Sequence, residues 1–123
     1  MIKFKRLLKS FKYALTGLSK VLWEEQNFQI DLFATLLILF LAVYFQIKAW
    51  QFVILILVIA LVLILEIINS IFERLLDLLK PRLHDYVEDI KDMTAAAVFI
   101  GAVCAFLIGL IIFLPYIIEK FCK

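Results

Sequence analysis

Hydrophobic and polar positions follow two different rhythms along this chain. In the N-terminal segment Phe4, Leu7, Leu8, Phe11, Ala14, Leu15, Leu18, Val21 and Leu22 recur at the helical period. Lys5, Lys9, Lys12, Thr16 and Lys20 take the opposite face. A basic amphipathic helix of this kind is too charged to cross a bilayer. It is expected to lie along the surface, over about residues 1–27, with its apolar side in the headgroup boundary. Beyond it the rhythm dissolves into uncharged, almost wholly apolar runs at 32–45 and 52–65. A hydrocarbon layer of roughly 30 Å needs about 20 apolar residues in a helix. Spans are therefore expected at about 28–47, 50–72 and 93–118. The first two are joined by a tight turn around Lys48 and Ala49, and the last two by a polar stretch at 80–92 that Pro81 breaks. The pattern predicts an all-α integral membrane protein, one domain over residues 1–123, with a surface helix and three transmembrane helices.

Composition agrees. Of the 123 residues 66% are hydrophobic, the mean hydropathy is +1.07, and twelve Phe stand against three Gly. No soluble core remains for the N-terminal helix to pack on. Cys104, Cys122 and His84 are too few for a disulfide framework or a cysteine–histidine metal site. Phosphate-binding glycine loops of the soluble nucleotide folds are absent, and no βαβ pattern occurs. Nothing in the charge pattern calls for nucleic acid. Along the third span Ala97, Gly101, Ala105 and Gly109 repeat every four residues, a stripe on which another helix can approach closely.

The net charge of +2 matters less than its distribution. Lys3, Lys5, Arg6, Lys9, Lys12 and Lys20 precede the first span, and Arg74, Lys80, Arg82 and Lys91 lie between the second and third. Only Lys48, Lys120 and Lys123 fall on the other side. By the positive-inside rule the N-terminus and the 73–92 region face the cytoplasm and the C-terminus lies outside. The expected location is a bacterial inner membrane, with the carboxylate-rich mouth on the side that holds ATP.

Glu66 is the most informative position. Sixteen residues beyond Trp50, at about 1.5 Å each, it lies about 24 Å into the layer, near the cytoplasmic boundary but among apolar neighbours. An ionised carboxylate there is costly, and such a group is either paired structurally or is a functional acid–base. Glu66, Asn69, Ser70, Glu73 and Asp77 share one helix face, which runs from the membrane into water. Glu24 and Glu25 precede the first span, and Lys91 and Asp92 the third. Carboxylates at these three mouths suit Mg²⁺, which is held by one or two carboxylates together with substrate phosphates, and the neighbouring Lys and Arg offset phosphate charge. The residues alone equally suit a small proton or cation transporter or channel using Glu66, or the polar interior of a bundle.

The stretch Glu66-Ile-Ile-Asn-Ser-Ile-Phe-Glu73, followed by Asp77, His84 and Lys91-Asp92-Met-Thr-Ala-Ala-Ala-Val98, resembles the signature of the prokaryotic diacylglycerol kinase family, which includes undecaprenol kinases. Arg6, Tyr13, Ala14, Gly17-Leu18, Glu25 and Phe28 extend the resemblance over nearly the whole chain. It implies a homotrimer with composite sites at subunit interfaces, phosphorylating diacylglycerol, or alternatively undecaprenol, with ATP. It further implies Glu66 as the base for the lipid hydroxyl, with Asn69 beside the catalytic pair, and Glu25 and Glu73 as Mg²⁺ ligands that also meet the nucleotide. Arg6, Tyr13, Arg82, His84, Lys91 and Asp92 fall at nucleotide contacts. Arg6, Glu66 and Ala95 fall at lipid-substrate contacts. Gln29, the pair Ile71-Phe72 and Ile90 depart from the family pattern; none of them is an implied base or metal ligand.

Overall fold

A computed structural model describes residues 3–122. Met1 and Ile2 of the expected surface helix, and the outer-side Lys123, lie outside the described residues. Four helices account for nearly all the rest: α1 (Phe4–Glu24), α2 (Gln26–Tyr44), α3 (Ala49–Leu79) and α4 (His84–Phe121). The last three are long and apolar enough to cross a membrane.

The amphipathic helix α1 buries no residue. It ends because Glu25 takes up extended backbone, with φ −107° and ψ 111°, and that one residue redirects the chain into α2. The boundary between surface helix and span thus falls at Glu25, slightly earlier than the expected position near residue 27.

The α2–α3 connection occupies residues 45–48. Gln46 has φ 52°, its N–H bonds the carbonyl of Val43, and the N–H of Ile47 bonds that of Ala42. This is a Schellman closure with glutamine at the left-handed position, where a Cβ is unfavourable. On the far side of the turn the backbone N–H of Lys48 donates to Gln51 Oε1 at 3.0 Å, and the Tyr116 hydroxyl donates to the same oxygen at 2.6 Å. One glutamine side chain therefore caps α3 and ties it to α4. Ala42, Leu55, Ile112 and Phe113 form the buried apolar cluster next to this turn. The Phe45 ring lies 6.2 Å from those of Phe113 and Tyr116, and Lys120 Nζ sits 3.9 Å over the Tyr44 ring.

Helix α3 has 31 residues and α4 has 38. At 1.5 Å per residue they are about 46 Å and about 57 Å long, so both outrun a hydrocarbon layer of roughly 30 Å. The excess projects at the opposite end as an antiparallel stem closed by residues 80–83. The polar stretch at 80–92 is helical from His84 onward. Pro81 stops α3, Asp85 in the first turn favours the start of α4, and Leu76 and Val87 are buried in the stem. Pro115 sits inside α4 without ending it.

Helices α3 and α4 make the most extensive pairing, and α2 packs on α3. A methyl group added at Gly101 would come within 2.6 Å of Leu65 Cδ1, so this member of the small-residue stripe lets α3 and α4 close together. Ala105 and Gly109 play a different part, lining a groove between α2 and α4. Much of the apolar surface remains exposed, as on Phe33, Phe40, Phe99, Phe106 and Ile111. Lipid or further protein must cover it.

Candidate functional site

The site is built on the last membrane turns of α3. Glu66, Asn69 and Ser70 are the buried polar side chains, Glu66 with only 4% of its surface accessible. Their spacing puts all three on the face that α3 turns toward its neighbours. Ser70 Oγ donates to the Glu66 carbonyl at 3.0 Å, and Asn69 Nδ2 donates to Glu73 Oε1 at 3.3 Å. Every buried side-chain nitrogen and oxygen among the described residues has a partner.

What faces Glu66 is a pair of residues that sequence reasoning passed over. Asn27 and Asp31, one turn apart on α2, both approach its carboxyl. Asp31 is half-buried, and its own carbonyl accepts the Thr35 hydroxyl at 2.8 Å. The structure thus brings two acidic side chains from different helices together in an apolar setting. A signal was present: Asp31 is the sole Asp, Glu, Lys or Arg in 28–47, and an acid inside a membrane span is a functional candidate by default.

Asp31 also heads a groove of about 390 Å³ that runs between α2 and α4. Its walls are Ala34, Ile38, Leu41, Ile59, Ala105 and Phe113, with Gly109 leaving its floor open. Asp31 thus stands at the stem end of a largely apolar groove.

Nearer the stem, charges pair between helices. Arg74 Nη2 donates to Glu24 at 2.6 Å and to Glu25 at 3.1 Å. Lys91 Nζ donates to Asp77 at 2.9 Å, and the hydrogen bond holds the Asp77 carboxyl below its usual range and the Lys91 ammonium above its own. Both groups lie in the projecting stem, outside the hydrocarbon. His84 Nε2 is 3.9 Å from Glu88.

Of the expected site residues, then, Glu66, Asn69 and Glu73 converge on α3, with Glu25 close to Arg74 of the same helix. Lys91 and Asp92 lie on the facing turns of α4, and Ala95 one turn further on. Arg6 and Tyr13 are exposed on α1, and Arg82 and His84 are exposed at the tip of the stem. Among the described residues no hydrogen bond or ion pair joins these four to Glu25, Glu66 or Glu73. No group of three metal-binding side chains is gathered among the described residues. The donor chemistry nonetheless fits Mg²⁺ with a nucleotide: Glu25 and Glu73 are hard oxygen donors at the same membrane face, and the remaining ligands of such an ion are substrate phosphates and water.

The profile of the family described as prokaryotic diacylglycerol kinase matches residues 12–113. An undecaprenol kinase of Bacillus subtilis is 33% identical over 110 residues, covering 89% of each chain. A diacylglycerol kinase of Escherichia coli is 33% identical over 102 residues, covering 83% of this chain and 84% of that one. A diacylglycerol kinase of Synechocystis is also 33% identical over 110 residues; the match spans 89% of this chain but 63% of that longer protein.

Proposed function

The chain belongs to the prokaryotic diacylglycerol kinase family, and on that footing we propose that it transfers the γ-phosphoryl group of ATP to the primary hydroxyl of diacylglycerol, giving phosphatidic acid and ADP. The observation that carries this reading is the placement of Glu66. It is a buried carboxyl at the cytoplasmic end of its span, facing Asp31 at the head of a lipid-facing apolar groove. A lipid alcohol lying with its chains along that groove brings its hydroxyl to the carboxyl pair. A water-soluble donor reaches the same point from the stem side.

In this mechanism Glu66 takes the hydroxyl proton as the alcohol oxygen attacks the γ-phosphorus in line. The bond to the β–γ bridging oxygen breaks and ADP leaves. Asp31 and Asn27 orient the Glu66 carboxyl. Glu25 and Glu73 would hold Mg²⁺, which supplies neutralisation of the phosphate charge. Asn69 holds Glu73 through its amide. Lys91, Asp92, Arg82, His84, Arg6 and Tyr13 serve the nucleotide, and Ala95 and Arg6 the lipid. The isolation of Arg6 and Tyr13 from the carboxylates of their own protomer accords with a composite site in a homotrimer. Catalysis rests on positioning and charge neutralisation.

Undecaprenol is the second acceptor, favoured by the match to the Bacillus subtilis enzyme over 89% of each chain. Both lipids present a primary hydroxyl on an apolar body. The test is phosphate transfer from labelled ATP by the purified protein in detergent micelles, with diacylglycerol, undecaprenol or no lipid, each with and without Mg²⁺. Magnesium-dependent labelling of diacylglycerol is expected. Labelling of undecaprenol alone assigns the enzyme to that alcohol. Labelling of neither lipid by folded protein removes the kinase reading and makes proton or cation transport through Glu66 the next measurement.

A further inference from the structure

Arg74 follows Glu73 on α3, yet its side chain reaches across to the α1–α2 junction. One nitrogen, Nη2, serves two carboxylates, Glu24 Oε2 at 2.6 Å and Glu25 Oε1 at 3.1 Å. Glu25 is the better sheltered of the two, with 23% of its side chain accessible against 55% for Glu24. It is also the single extended residue between two helices, so its carboxylate is set by the backbone of the joint. A cation therefore already stands on a carboxylate that the proposed function gives to Mg²⁺.

A guanidinium and a divalent ion compete for the same carboxylate oxygens. The guanidinium keeps its charge at any accessible pH. Its hold on Glu25 is the longer of its two bonds, it is not a bidentate fork, and Arg74 is half-exposed. Such a pair is weak enough to exchange. When it opens toward Glu25, the shorter bond to Glu24 remains, so α1 stays tied to α3.

We propose that Arg74 is a positioning residue that occupies Glu25 in the nucleotide-free enzyme and yields it to the incoming divalent cation, keeping Glu24 as its anchor. The proposal rests on Glu25 being a metal ligand. It accounts for an arginine beside a metal-ligand glutamate that points away from that glutamate and toward the other.

The measurement is Mn²⁺ binding by electron paramagnetic resonance, with the full chain in micelles and a non-hydrolysable ATP analogue. No turnover is involved. Arg74→Gln is expected to bind Mn²⁺ about two- to fivefold more tightly than wild type, the range of an exposed ion pair. Glu24→Gln leaves Arg74 to Glu25 alone and is expected to weaken binding about twofold. Lys80→Gln, which removes another positive charge at the end of α3 with no part in the pair, reports the general electrostatic effect and should shift affinity less than Arg74→Gln. Raising the salt concentration should narrow the gap between wild type and Arg74→Gln. Equal or weaker Mn²⁺ binding by Arg74→Gln, or a shift matched by Lys80→Gln, overturns the proposal. Glu25→Gln separates the two levels of the argument: if it leaves Mn²⁺ affinity unchanged, Glu25 is not a ligand and the metal assignment fails first.

Discussion

Asp31 on α2 and Glu66 on α3 face each other inside the membrane, one half-buried and the other almost wholly so. Neither helix alone makes this pair. Glu66 needs a partner because an isolated carboxylate in hydrocarbon is costly, and α2 supplies one that is itself an acid.

Glu66→Gln is expected to lower kcat by at least about a hundredfold, the lower end of general-base contributions, with nucleotide affinity unchanged. Asp31→Asn should cost about tenfold in kcat, because an amide replaces the acidic side chain that orients Glu66 in the proposed mechanism. Single-turnover phosphate transfer and nucleotide binding, measured on the same samples, separate the two effects. Wild-type turnover in the Glu66 variant would end its assignment as base.

Glu73 is held by the Asn69 amide at 3.3 Å. Glu73→Gln removes a charge from the proposed Mg-ATP site and should weaken Mg-ATP binding by about tenfold or more. Asn69→Leu keeps the charge but frees the carboxylate, so its loss of affinity should be smaller while its loss of kcat persists. Titration with a fluorescent nucleotide checks both. Unaltered affinity in Glu73→Gln excludes it as a ligand.

The α2–α3 turn carries a strain that can be relieved. Gln46 sits at φ 52°, a conformation that favours glycine. Gln46→Gly should stabilise the protein by about 1 kcal/mol and Gln46→Val should destabilise it, both without effect on catalysis. Thermal unfolding in detergent reads the direction. A fall in stability for the glycine variant would mean that the side chain contributes more than its backbone conformation costs.

The stem pair Asp77–Lys91 has a defined pH window. The Asp77 carboxyl is depressed below its ordinary 3.8, so its contribution is full above that value and is lost as pH falls through the lower native one. The Lys91 ammonium is raised above 10.5, so its contribution is full below that value and is lost as pH rises through the higher native one. Between about pH 5 and pH 9 the stability difference between wild type and Asp77→Asn should stay flat, and it should shrink in stronger acid. A slope across neutral pH would show that another titrating group controls the stem.

Much of this was readable from the chain. Unbroken apolar runs dictate membrane helices because backbone polar groups in lipid can be satisfied only within the helix. The basic N-terminal periodicity marks a helix that cannot enter that layer. The face from Glu66 to Asp77 follows from helical geometry alone, and so does the depth of Glu66. Their chemistry was legible because an acid in an apolar run is exceptional.

Three features lay beyond it. Asp31 and Glu66 are 35 positions apart in sequence, and only the packing of α2 on α3 makes them a pair. Arg74 reads locally as one more cytoplasmic positive charge; its bond to Glu25 depends on where the α1–α2 joint lands. The polar composition of 80–92 reads as a connection, yet two helices longer than the bilayer continue into water and bury Leu76 and Val87 there. Local periodicity and hydropathy settle which residues are helical and which are in lipid, because those depend on near neighbours and solvent. Which carboxylate meets which partner depends on how helices cross, and that is decided by side chains far apart in the chain.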